Sequence, residues 1–380
     1  MNTKSKIILI IVAIAIVTGL IYWGVASESQ PRGTNEPIKI GYIGALTGKS
    51  AYIGTYIKNG LDLAVEEINA AGGINGRKIE VIYEDSKSDT NEAVKAVNKL
   101  INLDQVPMII GFDSSSSVLA AAPIAEQNKV ILFAPIASAV EITNAGDYVF
   151  RNRESSFLHG EKMAELAFNN LNLKTTAIVA VNSENGLGYQ AGFVKKFEEL
   201  GGAISSIDNY VKGEKDYRTL LTKVKENKPQ AIYLAGYAVD MGEIIKQAHD
   251  LGIESQLLAS AGIETKDLFT VINPPLGNGL IYSYPAFNPE DLAIADYQKR
   301  FEAKYGKKSE AFAANSYDAL KIIANALEVC GTQTDCVRDE IYKIKDYSGV
   351  GGLTTFDQNG DVVKLIIFKT VKDGEFINYQ

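Results

Sequence analysis

The stretch Met108-Ile109-Ile110-Gly111-Phe112-Asp113-Ser114-Ser115-Ser116-Ser117 decides how the chain is read. Its first three residues form a short apolar run, the signature of a buried strand. A helix is predicted behind it over 118–128, with Pro123 in the first turn. A strand that ends in a small polar loop and opens a helix leaves backbone N–H groups unpaired. With hydroxyls around them, such groups suit an anion, carboxylates included. The same serines also serve as ordinary helix caps, so this stretch alone leaves both readings open. Asp113 reads as a solvated loop charge.

Working outward, the strand–loop–helix unit recurs in both directions. Towards the N-terminus, a strand at 38–43 turns at Gly44-Ala45-Leu46-Thr47-Gly48 and leads to a helix over 56–70. In that helix Leu61, Ala64, Val65 and Ile68 share one face, and Gly72-Gly73 ends it. A strand at 79–83 and a helix capped by Asp89 or Thr90 and running to 101 follow. Beyond the opening stretch come a strand at 130–133 and a loop over 134–139. After Arg151 the alternation restarts, with helices at 157–171, 190–200, 217–227 and 240–251. Strands at 176–181, 204–210, 231–235, 256–260 and 280–284 alternate with them. Asn185-Gly186-Leu187-Gly188-Tyr189 reads as a turn. Helices at 289–305 and 311–329 precede three strands at 353–356, 362–371 and 375–379, with hairpin signals at Asn359-Gly360 and Asp373-Gly374. Strand and helix alternating in this way imply an α/β protein of two doubly wound parallel-sheet lobes. Ligands in such sheets sit beyond the carboxyl ends of the strands.

Composition narrows the function. The 380 residues are 46% hydrophobic and 22% charged, and the formal net charge is −8. A basic footprint is missing, which argues against a nucleic-acid partner. The two histidines, His159 and His249, lie far apart in sequence and read as helix-surface residues. No Cys/His cluster has metal-ligand spacing, so no metal is expected. Neither GxGxxG nor GxxxxGK[ST] occurs, so no nucleotide cofactor is expected. No GxSxG elbow is present either.

Lys4 and Lys6 precede an uncharged run over 7–26. Its length suits a membrane-spanning helix, and Gly24 and Ala26 have the spacing of a signal cleavage site. Residues 1–26 are therefore expected to be a signal peptide or an N-terminal membrane anchor, and 27–37 a polar linker. From Ser27 onward the chain is expected outside the cytoplasm. Cys330 and Cys336 are the only cysteines, and in an exported protein they are expected to form a disulfide.

At spaced positions along 38–379 the chain resembles a known family. Gly44-Ala45-Leu46-Thr47-Gly48 is followed by Gly60, Ala64, Ile68-Asn69 and Gly72-Gly73-Ile74-Asn75-Gly76. Asp216-Tyr217, Gly236-Tyr237, Met241-Gly242 and Phe356-Asp357-Gln358-Asn359-Gly360-Asp361 complete the pattern. It is similar to the extracytoplasmic solute-binding proteins of branched-chain amino acid ABC transporters, of the leucine/isoleucine/valine type, with the type I periplasmic binding fold. The resemblance implies a three-crossing hinge, an N-terminal lobe of 38–155 and 285–363, and a C-terminal lobe of 156–284 and 364–380. It implies a small-molecule ligand, an amino acid or related carboxylate or amide, held between the lobes and passed to an ABC permease.

The resemblance places Ser115 on the ligand carboxylate, with Ser116 beside it, and matches Ala137 and Ser138 to a contacting loop. Tyr237, Phe312 and Tyr52 fall at aromatic positions of the site, and Asn185 falls where the family has a tyrosine. The family's acidic groups for a ligand ammonium fall on Ser156 and Ala261. Either Glu264, Asp240 or Glu154 replaces them, or the ligand has no ammonium. Ser115→Ala is expected to weaken binding and leave folding intact. Two alternatives stay open: a membrane-tethered ligand-sensing domain acting through a partner, and a hydrolase using the serine run.

Overall fold

A computed structural model of the chain describes residues 36–287, 290–362 and 364–379. The predicted N-terminal signal or anchor lies outside the described residues. The first layered unit alternates β1 (Ile38–Gly44), α1 (Ala51–Ala70), β2 (Ile79–Asp85), α2 (Thr90–Asn102), β3 (Met108–Gly111), α3 (Ser115–Gln127), β4 (Ile131–Ala134) and β5 (Val149–Arg151). Its five strands are parallel, in the order β2-β1-β3-β4-β5. Every residue of β3 and β4 is buried. That explains why they read as unbroken apolar runs rather than alternating ones, since helices cover both faces of a parallel sheet.

The second unit contains α4 (Ser156–Glu165), β6 (Thr175–Val181), α5 (Glu184–Glu199), β7 (Ala203–Tyr210), α6 (Arg218–Asn227), β8 (Ala231–Ala235), α7 (Ala238–Asp250), β9 (Gln256–Ala259), α8 (Leu268–Val271) and β10 (Ile281–Pro285). The chain then returns to the first unit with α9 (Ala295–Tyr305), α10 (Ala311–Cys330), α11 (Thr334–Tyr342) and a small hairpin of β11 (Tyr347–Gly349) and β12 (Gly352–Thr354). It crosses back once more for β13 (Ile366–Lys372) and β14 (Glu375–Asn378), which extend the second sheet beside β10 in antiparallel fashion. The second sheet has the order β14-β13-β10-β9-β8-β6-β7.

The two units are thus joined by three crossings, at 152–155, 286–294 and 357–365. They are tied to one another. Arg151 donates from Nε and Nη2 to the two carboxylate oxygens of Asp361, at 2.6 and 2.7 Å. The Ala286 amide donates to the Leu365 carbonyl at 2.9 Å. Cys330 and Cys336 are bonded as a disulfide and close the turn between α10 and α11.

Several local expectations need correction. The Asn185–Tyr189 segment is not a turn: it lies in the first turns of α5, because Ser183 caps that helix by accepting from the Gly186 amide. Its glycines serve helix packing. A Cβ on Gly188 would meet the Ser156 hydroxyl, and one on Gly192 would meet the Phe157 carbonyl of α4. Helix α3 begins at Ser115 under a Ser114 cap, so Pro123 lies in its interior rather than in its first turn. Helix α1 starts at Ala51, which moves Tyr52 from a loop into a first turn. Asn359-Gly360 closes only a single bridge, Phe356 with Val362, because the chain next pairs in the second sheet, through β13. The hairpin at 347–354 was not predicted. Asp373-Gly374 does join β13 to β14.

Candidate functional site

A cavity of about 580 Å³ lies where strand-end loops of both units meet. From the first unit it takes the ends of β3 and β4 and the start of α1. From the second it takes the starts of α5 and α7 and the loop after β9. Residues 307–312 and the first crossing complete the wall.

The opening stretch reaches this wall through an unusual backbone. Gly111 has φ +135°, and a Cβ there would meet the Ile43 carbonyl. Phe112 follows with φ 69°, a left-handed conformation that is uncommon for a bulky residue. This bend carries Asp113, Ser114 and Ser115 over the strand end and into the cavity lining. Ser115 Oγ accepts from the amides of Ser138 and Ala139, at 3.2 and 3.1 Å. Its lone pairs are engaged, so its own proton remains to be donated. That serine clamps one cavity loop to another and still has a donor to offer.

Of the residues named from the sequence, Tyr52, Ser115, Ala137, Ser138, Asn185, Tyr237 and Phe312 all line the cavity. Ser138 Oγ donates to Asn185 Oδ1 at 2.8 Å, a bond from one unit to the other. Ser116 does not line the cavity. Its hydroxyl turns away and donates to Glu184 Oε2 on α5 at 2.7 Å, a second bond between the units. Ser156 is buried beneath the α4–α5 contact, while Ala261 lines the cavity.

The three acids considered as substitutes are disposed differently. Glu264 lines the cavity, but it pairs with Lys369 at 2.5 Å and accepts from the Tyr282 hydroxyl. Burial still pushes its carboxyl up, with Lys369 and Tyr282 restraining the rise. Asp240 accepts from the Gly213 amide and is not part of the lining. Glu154 is buried outside the lining, 3.9 Å from His159. Burial alone would raise its carboxyl, but His159 and Lys364 outweigh that and hold it low.

Two further expectations of exposure fail because the residues are buried. Asp113 is not solvated: it is buried in the lining and accepts from Ser86 Oγ at 2.7 Å. His159 is fully buried rather than on a helix surface. Burial holds its imidazole below the ordinary range, and Glu154 only partly restores it. His249 is exposed.

Sequence reasoning missed Arg153, Glu310, Tyr189 and Tyr284. Arg153 sits in the first crossing, only 8% exposed. Its Nη1 donates to the Ile136 carbonyl at 3.0 Å, and its guanidinium lies 5.2 Å from the centre of the Phe312 ring. Its Nε is buried with no hydrogen-bond partner. Glu310 caps α10 by accepting from the amides of Phe312 and Ala313, at 3.0 and 3.1 Å. Burial pushes its carboxyl up to about 7, against the pull of those amides and of Arg153. Tyr189 is buried with its hydroxyl beside Ser138 and Arg153, and burial raises it too. The only local signal for Arg153 was an Arg-Glu pair directly after a strand, where apolar or small residues are usual.

Comparison with known proteins agrees with this architecture. The chain is 29% identical over 343 residues to a leucine-, isoleucine-, valine-, threonine- and alanine-binding protein of Pseudomonas aeruginosa, covering 89% of this chain and 90% of that one. Its fold is similar to that of the leucine-binding protein LivK of Thermotoga maritima, with TM-score 0.83, 28% identity, and coverage of 90% of this chain and 98% of the other. It is also similar to LivJ of Streptococcus pneumoniae, solved in complex with isoleucine, with TM-score 0.81, 29% identity, and coverage of 90% and 97%. The sequence model of the periplasmic binding proteins matches residues 37–375. A two-sheet body crossed three times, with its cavity at facing strand ends, is therefore joined to a family match over most of its length: the chain belongs to the periplasmic binding protein family.

Proposed function

We propose that this chain is the extracytoplasmic receptor of an ABC importer, capturing a small carboxylate solute, an amino acid or a relative of one, and delivering it to a permease. The observation that carries this reading is the cavity walled by both units, which Ser138–Asn185 at its wall and Ser116–Glu184 outside it bond to one another. Closure of a lobe of 38–155 and 285–363 on a lobe of 156–284 and 364–380 would bury the solute. Domain closure about a few crossing segments is an established way to couple binding to a change of shape. The names of the relatives, binding proteins for branched-chain and other small amino acids, support the solute class. The disulfide supports a compartment outside the cytoplasm.

The reading contains no chemical step. A serine hydrolase would need a base beside Ser115. Instead Ser115 Oγ accepts from two backbone amides, and neither histidine is among the lining residues.

The test is a thermal-shift screen of amino acids, carboxylates without an amine, and amides. A solute present at about a hundred times its Kd stabilises the folded state by about 2.7 kcal/mol. A rise of several degrees is expected for at least one carboxylate. A flat result across all of them refutes the reading.

A further inference from the structure

We propose that the solute is a monocarboxylate with an apolar or aromatic body and no ammonium group, and that Arg153 is the residue that selects it. The inference rests on the receptor reading above and narrows it.

Arg153 carries a buried charge that no carboxylate among the described residues pairs at hydrogen-bond distance. Arg153 is a permanent cation, buried on the cavity wall, with its Nε–H facing no acceptor. Among the described residues no carboxylate lies within ion-pair distance of it. A buried charge in that condition is strongly unfavourable, and an anion seated beside it removes the penalty. Ser115 offers a second donor, because its oxygen is engaged by two amides and its proton is not. Arg153 and Ser115 are both tied to the same loop, one through the Ile136 carbonyl and the other through the amides of Ser138 and Ala139. Two donors anchored within one loop of four residues match the two oxygens of a carboxylate.

An ammonium finds no equivalent place. Glu264 is paired with Lys369, Asp113 is bonded to Ser86 and shares its field with the Lys212 ammonium, and both oxygens of Glu310 cap α10. Asp267 is exposed at the rim. An α-ammonium would instead stand beside the guanidinium, a like charge in a poorly solvated site. The remaining walls are aromatic. Tyr237, Tyr284 and Phe312 supply flat apolar surface for the rest of the molecule, as is usual where a few polar groups fix the orientation of an apolar ligand.

The experiment uses the mature chain and four probes in isothermal titration: phenylpyruvate and 4-methyl-2-oxopentanoate against L-phenylalanine and L-leucine. Each pair differs chiefly in an oxo group where the other carries the ammonium. The 2-oxo acids are expected to bind tighter than their amino acids, on the order of a hundredfold. Arg153→Met keeps the length of the side chain and removes its charge. It is expected to weaken the 2-oxo acids at least tenfold and to shrink the gap between the two members of each pair. Should that variant fail to fold, the wild-type comparison still decides, and Arg153→Lys is expected to keep the preference at reduced affinity. Amino acids that bind as tightly as their 2-oxo partners overturn this inference and leave the receptor reading standing. The same holds for an Arg153→Met protein with unchanged affinities, and for four probes that all fail to bind while another solute in the screen succeeds. Failure of the entire screen overturns the receptor reading itself.

Discussion

Replacing Ser115 by alanine tests the double duty of one hydroxyl. In the folded chain its oxygen accepts from the amides of Ser138 and Ala139, both in a buried loop. Alanine leaves two N–H groups without an acceptor, and each orphaned buried donor costs about 1–3 kcal/mol. Both contacts are at the long end of the normal range, so the lower figure is appropriate, and the sum is about 2 kcal/mol. For a chain of this size that corresponds to a fall in melting temperature of about 4 °C, at about 2 °C per kcal/mol. The sequence alone had suggested that folding would be untouched. The assay is thermal and urea denaturation of the ligand-free protein. A separate titration with whichever carboxylate wins the screen should show a loss of about tenfold or more, since a bond to a charged group contributes about 1.5–3 kcal/mol. A ligand-free Ser115→Ala protein that melts with the wild type refutes the clamp. A variant with unchanged affinity refutes the contact with ligand.

Three further outcomes are expected. Ser116→Ala removes one of the bonds between the two units, worth about 1 kcal/mol; it should weaken solute binding about fivefold in titration with little change in the ligand-free melt, and an unchanged affinity counts against that bond acting in closure. Cys330→Ser with Cys336→Ser opens a six-residue separation, for which the loop-entropy relation gives about 2 kcal/mol; an unchanged urea midpoint would show that the turn is held by α10 and α11 alone. The imidazole of His159 is held below its ordinary value of 6.5 and faces Glu154, Arg153 and Tyr189. The unfolded chain therefore binds that proton better, and stability falls as pH drops below about 6.5. Glu310 and Asp318, raised to about 7 and about 6, act in the opposite direction, so the measurement compares His159→Gln with wild type. The variant should lose less stability between pH 7 and 5.5, and equal losses refute the assignment.

The parts of the fold that were legible share one property: the information lies within a few neighbours. Strands β3 and β8 read correctly because a doubly covered strand is apolar along its whole length. The β13–β14 hairpin read correctly because Asp373-Gly374 supplies two residues at positive φ. The aromatic walls at Tyr237 and Phe312 came from resemblance rather than from pattern. The errors arise where a distant segment decides. Gly186 and Gly188 look like a turn until the end of β6 packs against the first and α4 against the second. Nothing local to Arg153 and Glu154 shows that the first crossing is buried. The contacts that make Arg153 matter come from Ile136 and Phe312, which no local window includes.

The return of α10 to the first unit has a consequence for how the chain is made. Helix α1 rests on α10: a Cβ at Gly60 would meet the Ala313 carbonyl, and Glu67 accepts from the Tyr317 hydroxyl across 250 residues of sequence. The second sheet likewise waits for β13 to pair with β10. Neither half can reach its final structure while synthesis is still short of residue 311, and contacts so far apart form slowly. A polypeptide bound for secretion gains from that delay, because the translocation machinery receives it before it can lock. Chains cut after residue 285 should accordingly stay protease-sensitive throughout, and a resistant fragment from either half would disprove the point.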